Sequence, residues 1–196
     1  MYHHLAGEKQ KIDFAEWAPA YDVRIEAFHQ QMAQVCQSRK RVALTFDDGY
    51  RSLVDAVLPI LEAHPELCCH CFVCTGSIGR SGMLSARDIR MLAARNVRIG
   101  THSHSHIFLE KLDNAQLQRE VLQPRQIIEE ITGMPVTALS LPGGRFDRRT
   151  VEYAAGCGYR QIFTSMPGTT RAILPGCPQI ELVPRWAITA RTSLAS

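Results

Sequence analysis

Apolar and polar positions alternate along the chain in two rhythms. Short runs dense in β-branched and aromatic residues have the length and composition of buried strands: "RVALTF" (41–46), "LCCHCFVC" (67–74), "VRIGTH" (97–102), "VTALSL" (136–141), "YRQIFTS" (159–165) and "IELVPRWAIT" (180–189). Between them apolar residues recur every three or four positions, as Leu53, Val57, Ile60 and Leu61 do in "SLVDAVLPILEAH". Ser85 with Asp88 three residues later predicts a capped start for a helix in "ARDIRMLAARN", and Asp147 opens another over "RRTVEYAAGCG". Asp113 is expected to cap a long helix reaching Thr132, with Leu117, Val121, Ile127, Ile128 and Ile131 toward the core and a bend at Pro124.

Repeated strand–helix units predict parallel strands covered by helices, as an open sheet or a barrel. The expected organisation is a partly helical N-terminal segment, residues 1–40, packing on a barrel domain formed by residues 41–196. In either architecture chemistry collects beyond the carboxyl ends of the strands. The polar residues obey that rule. Asp47 and Asp48 end the first run, "THSHSH" (101–106) ends the third, "PGGR" (Pro142, Gly143, Gly144, Arg145) ends the fourth, and Arg185 lies in the last.

Composition narrows the function classes. The formal net charge of +3 over 196 residues is too small to argue for nucleic acid or an anionic membrane surface. No apolar run approaches the ~20 residues needed to cross a bilayer. The opening "MYHHLAGEKQ" lacks a basic stretch followed by an apolar one, so a cytoplasmic location is the expectation. Four of the seven cysteines crowd into "CCHCFVC" without a second Cys or His pair downstream, so this segment reads as a buried strand with reduced thiols rather than a zinc knot.

His102, His104 and His106 put three imidazoles in five residues. In an extended chain all three share a side; in a helical turn only His102 and His106 do. Either geometry lets two imidazoles converge on one ion, with a carboxylate from another strand completing the set. Two histidines and one carboxylate with an open position form a catalytic zinc arrangement, and iron, cobalt and nickel accept similar ligands. Such an ion also explains the adjacent carboxylates. If Asp48 binds it, Asp48 is neutralised and Asp47 stays ionised as a proton acceptor.

"TFDDG" followed by "HSHSH" resembles the polysaccharide deacetylase family, also known as the NodB homology or carbohydrate esterase family 4 domain, over roughly Val42 to Thr189. The resemblance implies an irregular (β/α) barrel of about seven parallel strands. It implies hydrolytic removal of N-acetyl groups from a glycan containing N-acetylglucosamine. Asp47 would be the catalytic base, Asp48, His102 and His106 the ligands of one divalent ion (zinc first, with cobalt, nickel or iron as alternatives), and Ser103 a support for the histidine loop. His104 falls on a variable motif position and is expected at the surface.

Two family motifs are altered. Where many members have Arg-x-Pro-Tyr-Gly this chain has "SLPGGRFD", a departure shared with the exopolysaccharide-type branch; Ser140 stands for the arginine and Gly143 for the tyrosine. The Gly143 N–H can still donate to an oxyanion. Pro142, Arg145 and Arg185 are expected to meet the substrate, with Arg145 or Arg185 standing in for the missing guanidinium beside Asp47. The histidine that usually serves as general acid near the C-terminus is absent, since His106 is the last in the chain. His3 or His4 in "MYHHLAG", or Asp47 returning its proton, would fill that role. These departures leave open a deacylase of a non-glycan amide or O-acetyl ester, and a glycan-binding descendant without catalysis.

Overall fold

A computed structural model describes residues 1–7, 11–38 and 41–192. The expected boundary at residue 40 therefore falls outside the described residues. Two short parallel strands, β1 (Leu5–Ala6) and β2 (Val23–Arg24), precede helix α1 (Ile25–Gln37), whose Phe28 and Met32 are buried. The main sheet then builds outward as β3 (Ala43–Phe46), β4 (Cys68–Val73), β5 (Val97–Thr101), β6 (Ala138–Ser140) and β7 (Gln161–Phe163), each parallel to the next. The last two strands in sequence, β8 (Ala172–Leu174) and β9 (Cys177–Val183), reverse their order in space: β9 pairs parallel with β7, and β8 runs antiparallel on its outer edge.

The seventh strand thus departs from the expected all-parallel set. Pro175-Gly176 is the cause. Proline presets the first central position of a tight turn, and Gly176, at φ +83°, takes the left-handed second position, so the chain doubles back as a hairpin. The sheet curls into an irregular half-barrel. Tyr2 bridges to Phe46 on the free side of β3, and Ile188 N donates to Met1 O at 2.8 Å, so the segment after β9 returns toward β3.

Helices α2 (Leu58–Ala63), α3 (Ala86–Ala93), α4 (Asn114–Leu117), α5 (Gln123–Thr132) and α6 (Arg148–Gly156) accompany the strands. Ser85 and Asp88 satisfy each other's backbone N–H groups in a reciprocal cap, and Asp147 caps α6 by accepting from Thr150 N at 2.8 Å. The long helix expected from Asp113 to Thr132 is interrupted by a π-helical turn, Gln118–Leu122. A second such turn, Leu53–Val57, precedes α2. Both lie just ahead of a proline in the second helical position, Pro124 or Pro59. A proline has no N–H for the ladder and its ring crowds the carbonyl four residues back; widening the turn opens that point without breaking the helix.

The main core joins Phe28, Phe46, Val57, Ile89, Leu92, Leu117, Val121, Ile128, Leu139, Val151, Ile162 and Ile180 between helices and sheet. Cys69, Cys71 and Cys74 are buried along β4 and its end, and all seven cysteines are free. Burial pushes the Cys74 thiol up to about 12 and keeps Cys69 and Cys71 protonated, so these sulfurs act as small apolar groups. A smaller cluster, Phe72, Ala138 and Phe163, packs apart from the main core, with His70 against both rings. Among the described residues no helix is long and apolar enough to cross a membrane.

Candidate metal centre

The carboxyl ends of β3, β5 and β6 meet at one cavity of about 340 Å³, lined by Asp47, Asp48, His102, His106, Leu141 and Gly143 together with His3, Tyr21, Tyr50 and Phe108. Asp48 Oδ1 lies 3.4 Å from His102 Nε2 and 3.2 Å from His106 Nε2. Asp48, His102 and His106 each offer one ligand atom, and these atoms all fall within 4.8 Å of one another.

The donor set fits a cation on chemical grounds. His102 Nδ1 lies 2.9 Å from the Ser140 carbonyl oxygen, which can only accept, so Nδ1 carries the proton. Burial outweighs the pull of Asp47 and Asp48 and lowers the His102 pKa, so the ring is neutral and Nε2 presents a bare lone pair. That lone pair faces Asp48 Oδ1, a buried oxygen without an aligned hydrogen-bond partner. Lone pair against lone pair at a buried oxygen is repulsive unless a positive centre offsets it. That centre is either a cation shared by the three side chains or the His106 imidazole at 3.2 Å, whose pKa burial lowers but contact with Asp48 raises overall. The Nδ1-to-carbonyl contact is also the outer support that orients a ligating imidazole.

Backbone strain marks the same residues. Asp48 (φ +72°), Ser103 (φ +62°) and His106 (φ +56°) are left-handed without being glycine, a conformation that costs about 1–3 kcal/mol each and persists only where the surroundings impose it. The histidine segment is consequently neither extended nor a helical turn. Ser103 Oγ accepts from His106 N at 2.9 Å, and buried Glu120 Oε2 accepts from His104 N and Ser105 N at 3.0 and 2.8 Å. His104 turns away toward Thr75, its Nδ1 3.0 Å from the hydroxyl.

Asp47 sits beside this trio, its Oδ2 3.9 Å from His102 Nε2. Arg185 Nη1 and Nη2 donate to Asp47 Oδ1 and Oδ2 at 2.7 and 2.9 Å, and Ser140 Oγ donates to Oδ2 at 2.9 Å. Burial pushes the Asp47 carboxyl up, but the Arg185 charge and its hydrogen bonds outweigh it and hold it well below the usual carboxylate range. Arg185 Nε donates to Thr164 O at 3.0 Å, and its guanidinium carbon lies 5.5 and 5.7 Å from the Phe72 and Phe163 ring centres. With an arginine at position 140 absent, the small Ser140 leaves room for a guanidinium arriving from the far end of the sequence.

The expected substrate contacts separate. Arg185 stands behind Asp47 and is not in the cavity wall, a correction to its reading as a substrate contact: its donors are committed to Asp47, Ser140 and Thr164. Arg145 is exposed, paired with Glu110 at 3.2 Å, and is not the group beside Asp47. Pro142 is buried and does not line the cavity, whereas its neighbours Leu141 and Gly143 do. His3 lines the cavity with its ring 4.6 Å from Tyr21 and its Nδ1 buried without a hydrogen bond; His4 is held aside by Asp22 at 3.0 Å. Sequence reasoning missed Glu120 and Phe108. Glu120 had a faint signal, an acid on the apolar stripe between Leu117 and Val121; Phe108 had none beyond its nearness to His106.

A family model described as polysaccharide deacetylase matches residues 34–162. The chain is 28% identical over 131 residues to YxkH of Bacillus subtilis, covering 67% of this chain and 47% of that protein. It is 26% identical over 148 residues to the peptidoglycan-N-acetylglucosamine deacetylase PgdA of Listeria monocytogenes, covering 74% of this chain and 31% of that one. The chain therefore spans about half or less of these relatives' length. Among solved structures, the Streptococcus pyogenes deacetylase PplD in complex with acetate superposes with a TM-score of 0.80 at 18% identity, covering 98% of this chain and 92% of that one, a likeness of fold.

Proposed function

The chain belongs to the polysaccharide deacetylase family, and on that premise we propose that it hydrolyses the N-acetyl groups of a glycan containing N-acetylglucosamine with the help of one divalent ion. The carrying observation is the unpaired Asp48 oxygen facing two imidazole nitrogens beside an Arg-tethered Asp47. Asp48, His102 and His106 would hold the ion, and their mixed N and O character suits zinc, cobalt, nickel or iron. When bound, such an ion polarises a carbonyl and lowers the pKa of water toward ~7.

The protein's own groups supply the rest. Asp47, ionised by Arg185, accepts the proton of the attacking water as its oxygen adds to the acetyl carbon. The Gly143 N–H donates to the oxyanion that develops on the carbonyl oxygen, a contact that needs no side chain. His3, whose ring lines the cavity, delivers a proton to the departing nitrogen as the C–N bond breaks. Acetate and a free amine result. The acetate held by PplD and the sugar named for PgdA support that product and that substrate class.

The test is acetate release from N-acetylglucosamine oligomers with added zinc or cobalt, comparing the unaltered chain with Asp47→Asn. Release that is abolished in the variant is expected. No release from any acetylated glycan at full metal occupancy would overturn the reading.

A further inference from the structure

Phe108 is half exposed in the wall of the catalytic cavity, two residues after a proposed metal ligand. Its neighbours fix its position firmly. Leu109 is fully buried and its carbonyl accepts from Thr150 Oγ1 at 2.9 Å, while Lys111 N donates to Asp147 Oδ2 at 2.9 Å. On the other side, His106 N is bound to Ser103. The loop is thus pinned before and after Phe108, yet the residue stays half exposed. Arg145 places its guanidinium carbon 4.7 Å from the ring centre and is itself held by Glu110. A methyl group built on Gly143 would lie 2.5 Å from Phe108 Cε1, so the ring already fills the space beside this cavity-lining glycine.

We propose that Phe108, backed by Arg145 and seated over Gly143, is the aromatic platform on which the acetylated sugar ring stacks, a substrate-positioning residue. The inference rests on the glycan reading above. A pyranose has one face of C–H groups and a rim of hydroxyls; an aromatic ring with one face covered by a cation offers its other face to such a surface. Rigid aromatic groups bind at low entropic cost because little freedom remains to be lost. Asp47, Asp48, His102 and His106 give the cavity its charged and imidazole groups, and the apolar part of its lining, to which Phe108 contributes the most exposed aromatic ring, is what orients the sugar relative to Asp47. Arg145 acts here through the ring.

The experiment measures steady-state deacetylation of an N-acetylglucosamine oligomer by the metal-loaded chain, and binding of the same oligomer to the metal-free chain by calorimetry. Phe108→Ala is expected to raise KM and weaken oligomer binding about tenfold, with kcat changed far less. Phe108→Trp is expected to restore both, which a merely structural role would not give. Thermal unfolding of each variant separates loss of the platform from loss of fold. An unchanged KM and unchanged binding in folded Phe108→Ala, with the unaltered chain active on the oligomer, would overturn the platform alone. An unaltered chain that neither binds nor deacetylates any acetylated glycan would overturn the glycan reading and the platform with it.

Discussion

Replacing Arg185 with methionine is the most informative change to the catalytic base. The guanidinium lies between an aromatic floor, Phe72 and Phe163, and the Asp47 carboxylate above it; Arg185 is 5% exposed and Asp47 2%. Methionine keeps much of the volume and the aromatic contact but removes two charged donors to Asp47, one to Ser140 and one to Thr164. A buried carboxylate deprived of its partner costs about 3–5 kcal/mol, a large share of the ~5–15 kcal/mol that holds a domain folded. Urea unfolding near pH 7 should show a lower midpoint at unchanged slope. Asp47→Asn alone leaves Arg185 charged and buried, so the double variant should cost less than the sum of the single ones. The acid limb of activity should move upward in Arg185→Met, because burial then dominates and Asp47 is protonated at higher pH. An Arg185→Met protein losing less than ~1 kcal/mol, or single costs that simply add, would refute the tether and return Arg185 to the role of a substrate contact.

Other outcomes follow from neighbouring contacts. Gly143→Ala must hold a left-handed φ and drive its methyl into Phe108; a loss of about 1–2 kcal/mol in thermal unfolding and a fall in kcat are expected, and because alanine keeps the N–H, an unimpaired variant would refute the tight seat beneath Phe108 rather than the N–H contact. His3→Gln should lower kcat by roughly 10²–10⁴-fold while leaving metal stoichiometry intact, with a smaller effect on an acetyl ester whose leaving group needs no proton; equal effects on both substrates would count against proton delivery. His70 is held neutral to about 4, by burial first and then by Arg98 and Arg171. Because its folded pKa is depressed, stability is full above the unfolded value of ~6.5 and declines as pH falls from there toward 4, by up to ~1.4 kcal/mol per pH unit. His70→Phe should flatten that decline in urea melts, and parallel curves would exclude His70 as its source.

Local chemistry was legible in the sequence. Reciprocal caps such as Ser85 with Asp88 involve neighbours three residues apart, and the positions of Asp47, Asp48, His102 and His106 follow from strands whose apolar runs are self-evident. What escaped was set by geometry between distant residues. Arg185 meets Asp47 across a separation of 138 residues, with nothing in "VPRWAI" to favour it over Arg145. The π-helical turns ahead of Pro59 and Pro124 shift the side-chain register without disturbing the apolar spacing, and one of them brings Glu120 to the histidine loop. The left-handed backbone at Asp48, Ser103 and His106 has no glycine to announce it. The outer strand β8 was missed because it is short and largely exposed, and only Pro175-Gly176 hinted at the hairpin.

Anomalous diffraction at the zinc edge from crystals of the zinc-loaded chain tests most directly whether three side chains share one ion. A single strong peak is expected at the cavity floor, bonded at about 2.0–2.2 Å to a carboxylate oxygen of Asp48 and to Nε2 of His102 and His106, and absent in Asp48→Asn. A saturated crystal with no peak there, or with zinc only at other residues, would contradict the mechanism while leaving the barrel standing.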